Sequence, residues 1–342
     1  MQQKKVLIIY TGGTIGMITD PETGVLKPFD FSQITKQVPE IKLFDCEIEA
    51  VSFKEPIDSS NMTPEVWKNL VHIIEENYSK YDGFVILHGT DTMAYTASAV
   101  SFMVQNLTKP IVFTGSQLPI GIIRTDGKEN LITAIEIAAT YVNGVAVVPE
   151  VSLYFEYKLY RGNRITKLSA HHFNAFETFN YPYLAEAGIE IDFNFEGIAP
   201  PSKELVSFKY GIENDISVLK LYPGISKKMV AHFFNSPGLK AVILETFGAG
   251  NATSYDWFLE EIGIAISKGI IVVNVTQCKS GRVIQSKYET GRGLEALGVI
   301  SGDDITVEAA VTKLMYLLGN YSNKQEVKEL FVKNLAGEKL EF

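Results

Sequence analysis

Cysteine is nearly absent: the 342 residues contain only Cys46 and Cys278. Two thiols this far apart in sequence allow at most one disulfide and do not make the framework of a secreted scaffold, so both are expected as reduced thiols. A basic excess is missing too. With 31 lysines and arginines against 40 aspartates and glutamates, the formal net charge is -9. No cationic stripe is available to track phosphates, which makes nucleic acid an unexpected partner. No apolar run reaches the roughly 18 residues of a membrane-spanning helix. Behind Lys4 and Lys5 the apolar stretch is about five residues long, against roughly 7 to 15 for the core of a secretory signal. The expectation is a cytoplasmic protein without membrane association.

Several sequence signatures of chemistry are lacking as well. There is no Gly-x-Gly-x-x-Gly after the first apolar run, no Gly-Lys-Ser/Thr ending of a phosphate loop, no Gly-x-Ser-x-Gly elbow and no His-Glu-x-x-His. The five histidines (72, 88, 171, 172 and 232) and the two lone cysteines are not spaced as a metal site. His171-His172 has no third ligand at a recognisable spacing, so no metal is expected. Repeats of fixed period and low-complexity tracts are absent.

What is present is a globular composition, 46% hydrophobic and 21% charged, long enough for two domains. Apolar runs at 6–10, 83–88, 110–114 and 145–148 read as strands. Helices are expected between them: one opening at Thr63-Pro64-Glu65, one through Ala94, Ala97, Val100 and Met103, and one near 129–141. Strands separated by helical segments imply right-handed crossovers and a mainly parallel sheet. Periodicity fails over 193–213, where Pro200-Pro201 sits, and this stretch is expected to be a linker. A second α/β unit follows, with strands at 216–221, 241–244 and 270–273 and a last helix from about Thr306 to Leu318. The fold class is therefore α/β: two α/β domains with mainly parallel sheets. The larger N-terminal domain spans 1–192, and a smaller flavodoxin- or Rossmann-like C-terminal domain spans 214–342.

Two strands end alike. Val6-Leu7-Ile8-Ile9-Tyr10 breaks into Thr11-Gly12-Gly13-Thr14, and Gly83-Phe84-Val85-Ile86-Leu87 breaks into His88-Gly89-Thr90-Asp91-Thr92. Glycine turns bearing hydroxyls at the open end of a parallel sheet lie where α/β proteins place their ligands. Such turns bring backbone N–H groups close to a developing negative charge. A threonine hydroxyl becomes a nucleophile when a base takes its proton, and a lysine serves as that base only where its surroundings favour the neutral amine. Taken alone, the first turn fits a phosphate loop or a tight turn without chemistry as well as a catalytic loop.

Together, Tyr10-Thr11-Gly12-Gly13-Thr14-Ile15-Gly16 and His88-Gly89-Thr90-Asp91-Thr92-Met93-Ala94-Tyr95 resemble the two signature segments of the bacterial-type L-asparaginases, most closely the cytoplasmic type I branch. The resemblance continues through 58–63, 114–119, 159–167 and 274–278, and so spans nearly the whole chain. It implies hydrolysis of asparagine to aspartate and ammonia without metal or cofactor. By motif, Thr14 would be the nucleophile, and Thr90, Asp91 and Lys167 would form a Thr-Asp-Lys relay. Asp58, Ser59, Thr90 and Asp91 would hold the α-amino and α-carboxylate groups of the substrate with Ser60 nearby, and Ser116 and Gln117 would line the amide pocket. An Asp91 carboxylate suits a free ammonium, which favours an amino acid over a peptide interior.

The resemblance also implies a homodimer or a homotetramer built from intimate dimers, and a lid between 17 and 31. Two positions depart from the family pattern. Val25 stands where members carry a loop tyrosine, and Glu245 where some type I enzymes carry an arginine of an allosteric asparagine site, so weak or absent allostery of that kind is expected. Two further functions fit part of this pattern. One is the related ammonia-supplying amidotransferase subunit, which carries an extra N-terminal domain for which residue 11 leaves no room. The other is an amino-acid sensor without turnover, which would have no need of Thr14, Thr90, Asp91 and Lys167 together.

Overall fold

A computed structural model describes residues 3–19, 26–28, 38–287 and 289–341. Val25, and with it most of the expected lid, lies outside the described residues. The chain divides into two compact units, Met1–Phe208 and Lys209–Phe342, and the division falls inside the stretch 193–213.

The first unit is built on one sheet. Its parallel part comprises β1 (Lys4–Gly12), β2 (Cys46–Ile57), β3 (Gly83–Leu87), β4 (Ile111–Thr114) and β5 (Val151–Phe155), extended by the antiparallel strands β6 (Lys158–Arg161), β7 (Ala185–Ala187) and β8 (Ile191–Phe193). The spatial order is β8-β7-β6-β5-β4-β3-β1-β2. Strands β1, β3 and β4 are buried on both faces, as their unbroken apolar runs require of strands covered by helices on each side. Chain order reverses between β1 and β3. In doubly wound sheets that switch point opens a crevice beyond the carboxyl ends of the two strands, and both threonine turns begin there.

The covering helices are α1 (Pro64–Asn77), α2 (Met93–Met103) and α3 (Gly127–Ala139). Helix α1 buries Trp67, Leu70, Val71 and Ile74, and the Trp67 indole donates to Thr96 Oγ1 at 3.0 Å. Thr63 occupies the cap position with Pro64 behind it, as expected, although its hydroxyl makes no capping bond. The strand expected at 145–148 is corrected. Only Val145–Ala146 pairs, with Tyr141–Val142, in a two-stranded hairpin outside the main sheet. The Asn143-Gly144 turn, with φ of 52° and 83°, is the Asn-Gly signal of a tight hairpin. Pro149, which has no N–H to donate to a ladder, separates this hairpin from β5, the strand that takes the place in the sheet.

The second unit holds a parallel sheet in the sequential order β9 (Ile216–Lys220), β10 (Ala241–Thr246), β11 (Ile271–Thr276), β12 (Ile300–Ser301). The 2-1-3-4-5 order with a switch point thus belongs to the first unit. Helices α4 (Lys227–Phe234), α5 (Asp256–Ser267) and α6 (Glu289–Ala296) connect these strands. Helix α7 (Val307–Asn320), capped by the Thr306 hydroxyl, is not the last. Asn323 caps a further helix, α8 (Lys324–Val332), by accepting from the Gln325 and Glu326 amides. Beyond it the chain is clamped by a fully buried ion pair between Lys313 and Glu338. Lys313 also donates to the carbonyls of Phe331 and Lys333, and Glu338 accepts the amides of Leu335 and Ala336.

Candidate active site

Three loops meet at the switch point because glycines let their backbones touch. A Cβ on Gly13 would stand 2.5 Å from Gly89 Cα and N, and one on Gly12 would stand 2.1 Å from Ile57 O. A Cβ on Gly89 would stand 2.5 Å from Ser59 Oγ. Gly12 and Gly13 also sit at φ of 138° and 88°, conformations that side-chain-bearing residues rarely adopt. The loop after β1, the end of β2 and the loop after β3 are therefore stacked against one another. Thr11 Oγ1 adds a cross-tie to Leu87 O at 2.9 Å, and Thr92 Oγ1 another to Ser59 O at 2.7 Å.

On this stack Thr14 begins a single 3₁₀ turn, partly buried, and its hydroxyl has no hydrogen bond to a described residue. In the loop after β3, Thr90 Oγ1 and Asp91 Oδ1 accept from Lys167 Nζ at 2.8 Å and 2.7 Å. The Thr90 hydroxyl donates in turn to Gln117 Oε1 at 3.4 Å. Lys167 is supplied by a short strand, Thr166–Lys167, paired with Phe176–Glu177. Its side chain is 17% exposed and that of Asp91 64%, so the relay is sheltered on the lysine side and open on the carboxylate side.

Ser59 is buried against Gly89, whereas Asp58 and Ser60 are exposed. Asp58 Oδ1 accepts from Ser60 N at 2.9 Å and Ser60 Oγ at 2.8 Å. These two bonds hold the Asp58 carboxyl below the usual range and keep it an anion. Ser116 is buried, and its hydroxyl donates to Leu118 O at 2.5 Å. Gln117 presents its amide to the site, with Nε2 donating to His172 O at 3.1 Å. Of the residues expected from sequence, Thr90, Asp91, Lys167 and Gln117 are joined by direct bonds. Ser59 joins them through its contacts with Gly89 and Thr92, and Thr14 through the Gly13–Gly89 contact. Among the described residues no group of three histidine, cysteine or acidic side chains is arranged to hold a metal.

Sequence reasoning did not single out three neighbours. Asp126, buried at the N-cap position of α3, accepts the amides of Gln117 and Leu118. Asn130 donates to Gly115 O at 3.0 Å. Both stand at the start of a helix directly after the Ser116-Gln117 loop, and an acid at a helix start was the available signal. His88 is fully buried, with Nδ1 2.7 Å from Gly89 O. Burial pushes its pKa down to about 4, so at neutral pH the ring is uncharged and Nδ1–H donates to that carbonyl.

A model of the asparaginase N-terminal domain matches residues 5–198, and a model of the glutaminase/asparaginase C-terminal domain matches residues 215–331. The chain belongs to the asparaginase family. This asparaginase-family chain is 43% identical over 339 residues to L-asparaginase 1 of Escherichia coli K12, covering 99% of the chain and 98% of that protein. Its fold is similar to that of L-asparaginase I from Vibrio cholerae, with a TM-score of 0.89 at 40% identity and 99% of each chain covered. The thermostable L-asparaginase from Thermococcus kodakarensis matches with a TM-score of 0.90 at 31% identity, over 99% of this chain and 100% of that one.

Proposed function

We propose that this protein is an L-asparaginase that hydrolyses L-asparagine to L-aspartate and ammonia. The observation that carries this is the Thr90–Lys167–Asp91 relay set across the Gly13–Gly89 contact from Thr14, whose hydroxyl is left without a partner among the described residues. Thr14 Oγ attacks the side-chain amide carbon while its hydroxyl proton is passed to the amide nitrogen, and the carbonyl oxygen takes the negative charge. Collapse of this adduct breaks the C–N bond, and ammonia leaves with that proton. Water then attacks the Thr14 ester and gives up a proton toward Thr90 and Lys167, and a proton returns to Thr14 Oγ as its bond to the acyl carbon breaks and aspartate is released. Asp58, Ser59, Ser60 and Asp91 hold the α-amino and α-carboxylate groups, where carboxylate–ammonium bonds give charge-assisted recognition. Ser116 and Gln117 line the amide end.

In this scheme the N-terminal domain, 1–192, carries the threonine motifs, and 193–213 leads to the C-terminal domain, 214–342. The protein works in the cytoplasm, without a cofactor, as a homodimer or homotetramer, which light scattering on the purified protein decides. Activity is tested by ammonia release from L-asparagine and L-glutamine without added metal or nucleotide. Thr14→Ala and Lys167→Met are each expected to lower asparagine turnover by several orders of magnitude. A wild type that binds asparagine and releases no ammonia overturns the proposal in favour of an amino-acid sensor. One methylene of pocket length is worth roughly 1–3 kcal/mol, and the ratio of asparagine to glutamine turnover in this assay measures how the pocket discriminates the two.

A further inference from the structure

The Gln117 side chain reaches Thr90, His172 and Ser169 through long hydrogen bonds of 3.1–3.5 Å, and the backbone that carries it is held more closely. Its backbone is fixed by Asp126. Gln117 N lies 2.9 Å from Asp126 Oδ2 and 3.1 Å from Oδ1, Leu118 N lies 3.2 Å from Oδ1, and Asn130 Nδ2 lies 3.4 Å from Oδ2. Every one of these partners is a donor, and both oxygens are engaged, which is the pattern of an ionised carboxylate. The group is 7% exposed. Burial raises its pKa, and the bonds from the Gln117 and Leu118 amides oppose that rise. Its place at the start of α3 adds the favourable end of the helix dipole. The same helix start is packed against both sides of the site: a Cβ on Gly127 would lie 3.2 Å from Ser116 Cβ and 3.3 Å from Ile15 Cγ1. Ile15 directly follows Thr14.

We propose that Asp126 is a positioning residue of the reaction: its buried carboxylate holds the Gln117 backbone, and through the Gln117 amide it sets the Thr90 hydroxyl and the 169–172 segment that follows Lys167. Gln117 is suited to pass this on, because Oε1 accepts from Thr90 while Nε2 donates to His172 O and, at 3.5 Å, to Ser169 O. One side chain thus ties the loop after β3 to the strand that supplies the lysine. The proposal rests on the assignment of Thr90 and Lys167 as reacting groups. Asp126 itself touches neither substrate nor reacting atoms.

Asp126→Asn replaces one acceptor oxygen with an NH2 that must face a donor, either the Gln117 and Leu118 amides or the Asn130 amide. A displacement of about 1 Å at reacting groups lowers rate by up to about 100-fold. The variant is expected to lose 10- to 100-fold in kcat with KM changed less than about 3-fold. A cycle of Asp126→Asn, Gln117→Ala and the double variant reads the route: if Asp126 acts through Gln117, the double variant is no slower than the slower single one. Losses that multiply overturn the proposal. Amide hydrogen exchange at Gln117 and Leu118 gives a readout independent of turnover, expected at least 10-fold slower in the wild type than in Asp126→Asn, and equal rates also overturn the proposal. Should Asp126→Asn not fold, Asp126→Glu keeps the anion but moves it by one methylene, and the same kcat loss and faster exchange are expected. Absence of asparagine turnover in the wild type would remove the functional assignment alone, since the exchange experiment still decides whether Asp126 holds Gln117.

Discussion

Replacing Gly13 with alanine tests the claim that two loop backbones in contact assemble this site. The added Cβ would lie 2.5 Å from both Gly89 Cα and Gly89 N and 2.9 Å from His88 C, where ordinary contact begins at 3.4 Å. Backbone atoms cannot rotate away, so the loops after β1 and β3 must part by about 1 Å, a shift that lowers rate by about 100-fold when it separates reacting groups. Gly13 also sits at φ 88°. With ψ at 171° this is a conformation essentially confined to glycine, which costs alanine about 1–3 kcal/mol, and overpacking a close-packed contact adds about 1–3 kcal/mol. Gly13→Ala is therefore expected to lose at least about 100-fold in kcat and about 2–6 kcal/mol of stability. Gly89→Ala is the internal control. Gly89 is not at positive φ, so alanine there adds no backbone strain and the stability loss should be smaller, while its Cβ, 2.5 Å from the Ser59 hydroxyl and 2.8 Å from Ser59 Cβ, would still disturb the substrate-binding end of the site. Ammonia release from asparagine and urea denaturation measure the two effects. A Gly13→Ala protein within about 3-fold of wild-type kcat and with an unchanged denaturation midpoint refutes the reasoning.

Two further outcomes concern buried charge. Lys313→Met leaves the Glu338 carboxylate buried without its cation, a change expected to cost about 3–5 kcal/mol. Guanidinium denaturation should show most of that loss recovered in a Lys313→Met, Glu338→Leu double variant. His88 stays neutral when folded down to about pH 4, whereas in the unfolded chain it takes up a proton below about pH 6.5. Between those values the unfolded state binds more protons, so stability falls as pH falls, by about 1.4 kcal/mol per unit and about 3 kcal/mol in total. Urea midpoints from pH 7 to 4.5 should fall more steeply for the wild type than for His88→Gln. Equal slopes would mean that His88 charges in the folded state.

Local chemistry made the two strand–turn pairs legible. Buried parallel strands must be almost wholly apolar, and Val6–Tyr10 and Gly83–Leu87 are, while Gly12, Gly13 and Gly89 mark places where only a missing side chain lets backbones approach. Strand β5 was harder to see because its neighbours mislead. Val145–Val148 carries the stronger apolar run, and only the Asn143-Gly144 turn and Pro149 show that it cannot enter the sheet. Helix α8 was hidden by its polar face, Lys324, Gln325, Glu326 and Lys328, with Val327 and Phe331 alone buried. In the site, Lys167 was found through resemblance. Nothing in its own segment marks it, since its role depends on a neighbour 77 positions away.

The sequence by itself determined the alternation of strands and helices, the two glycine–threonine turns and the family, because each is written in residues a few positions apart. Tertiary structure alone decided that β3 lies beside β1, which puts Gly13, the residue before Thr14, against Gly89, the residue before Thr90. It alone brought Lys167 to Thr90 and Asp91, and Asp126 under Gln117. Those contacts arise from strand order and loop closure over long separations, and no local pattern encodes a hydrogen bond whose two ends are set by different strands of one sheet.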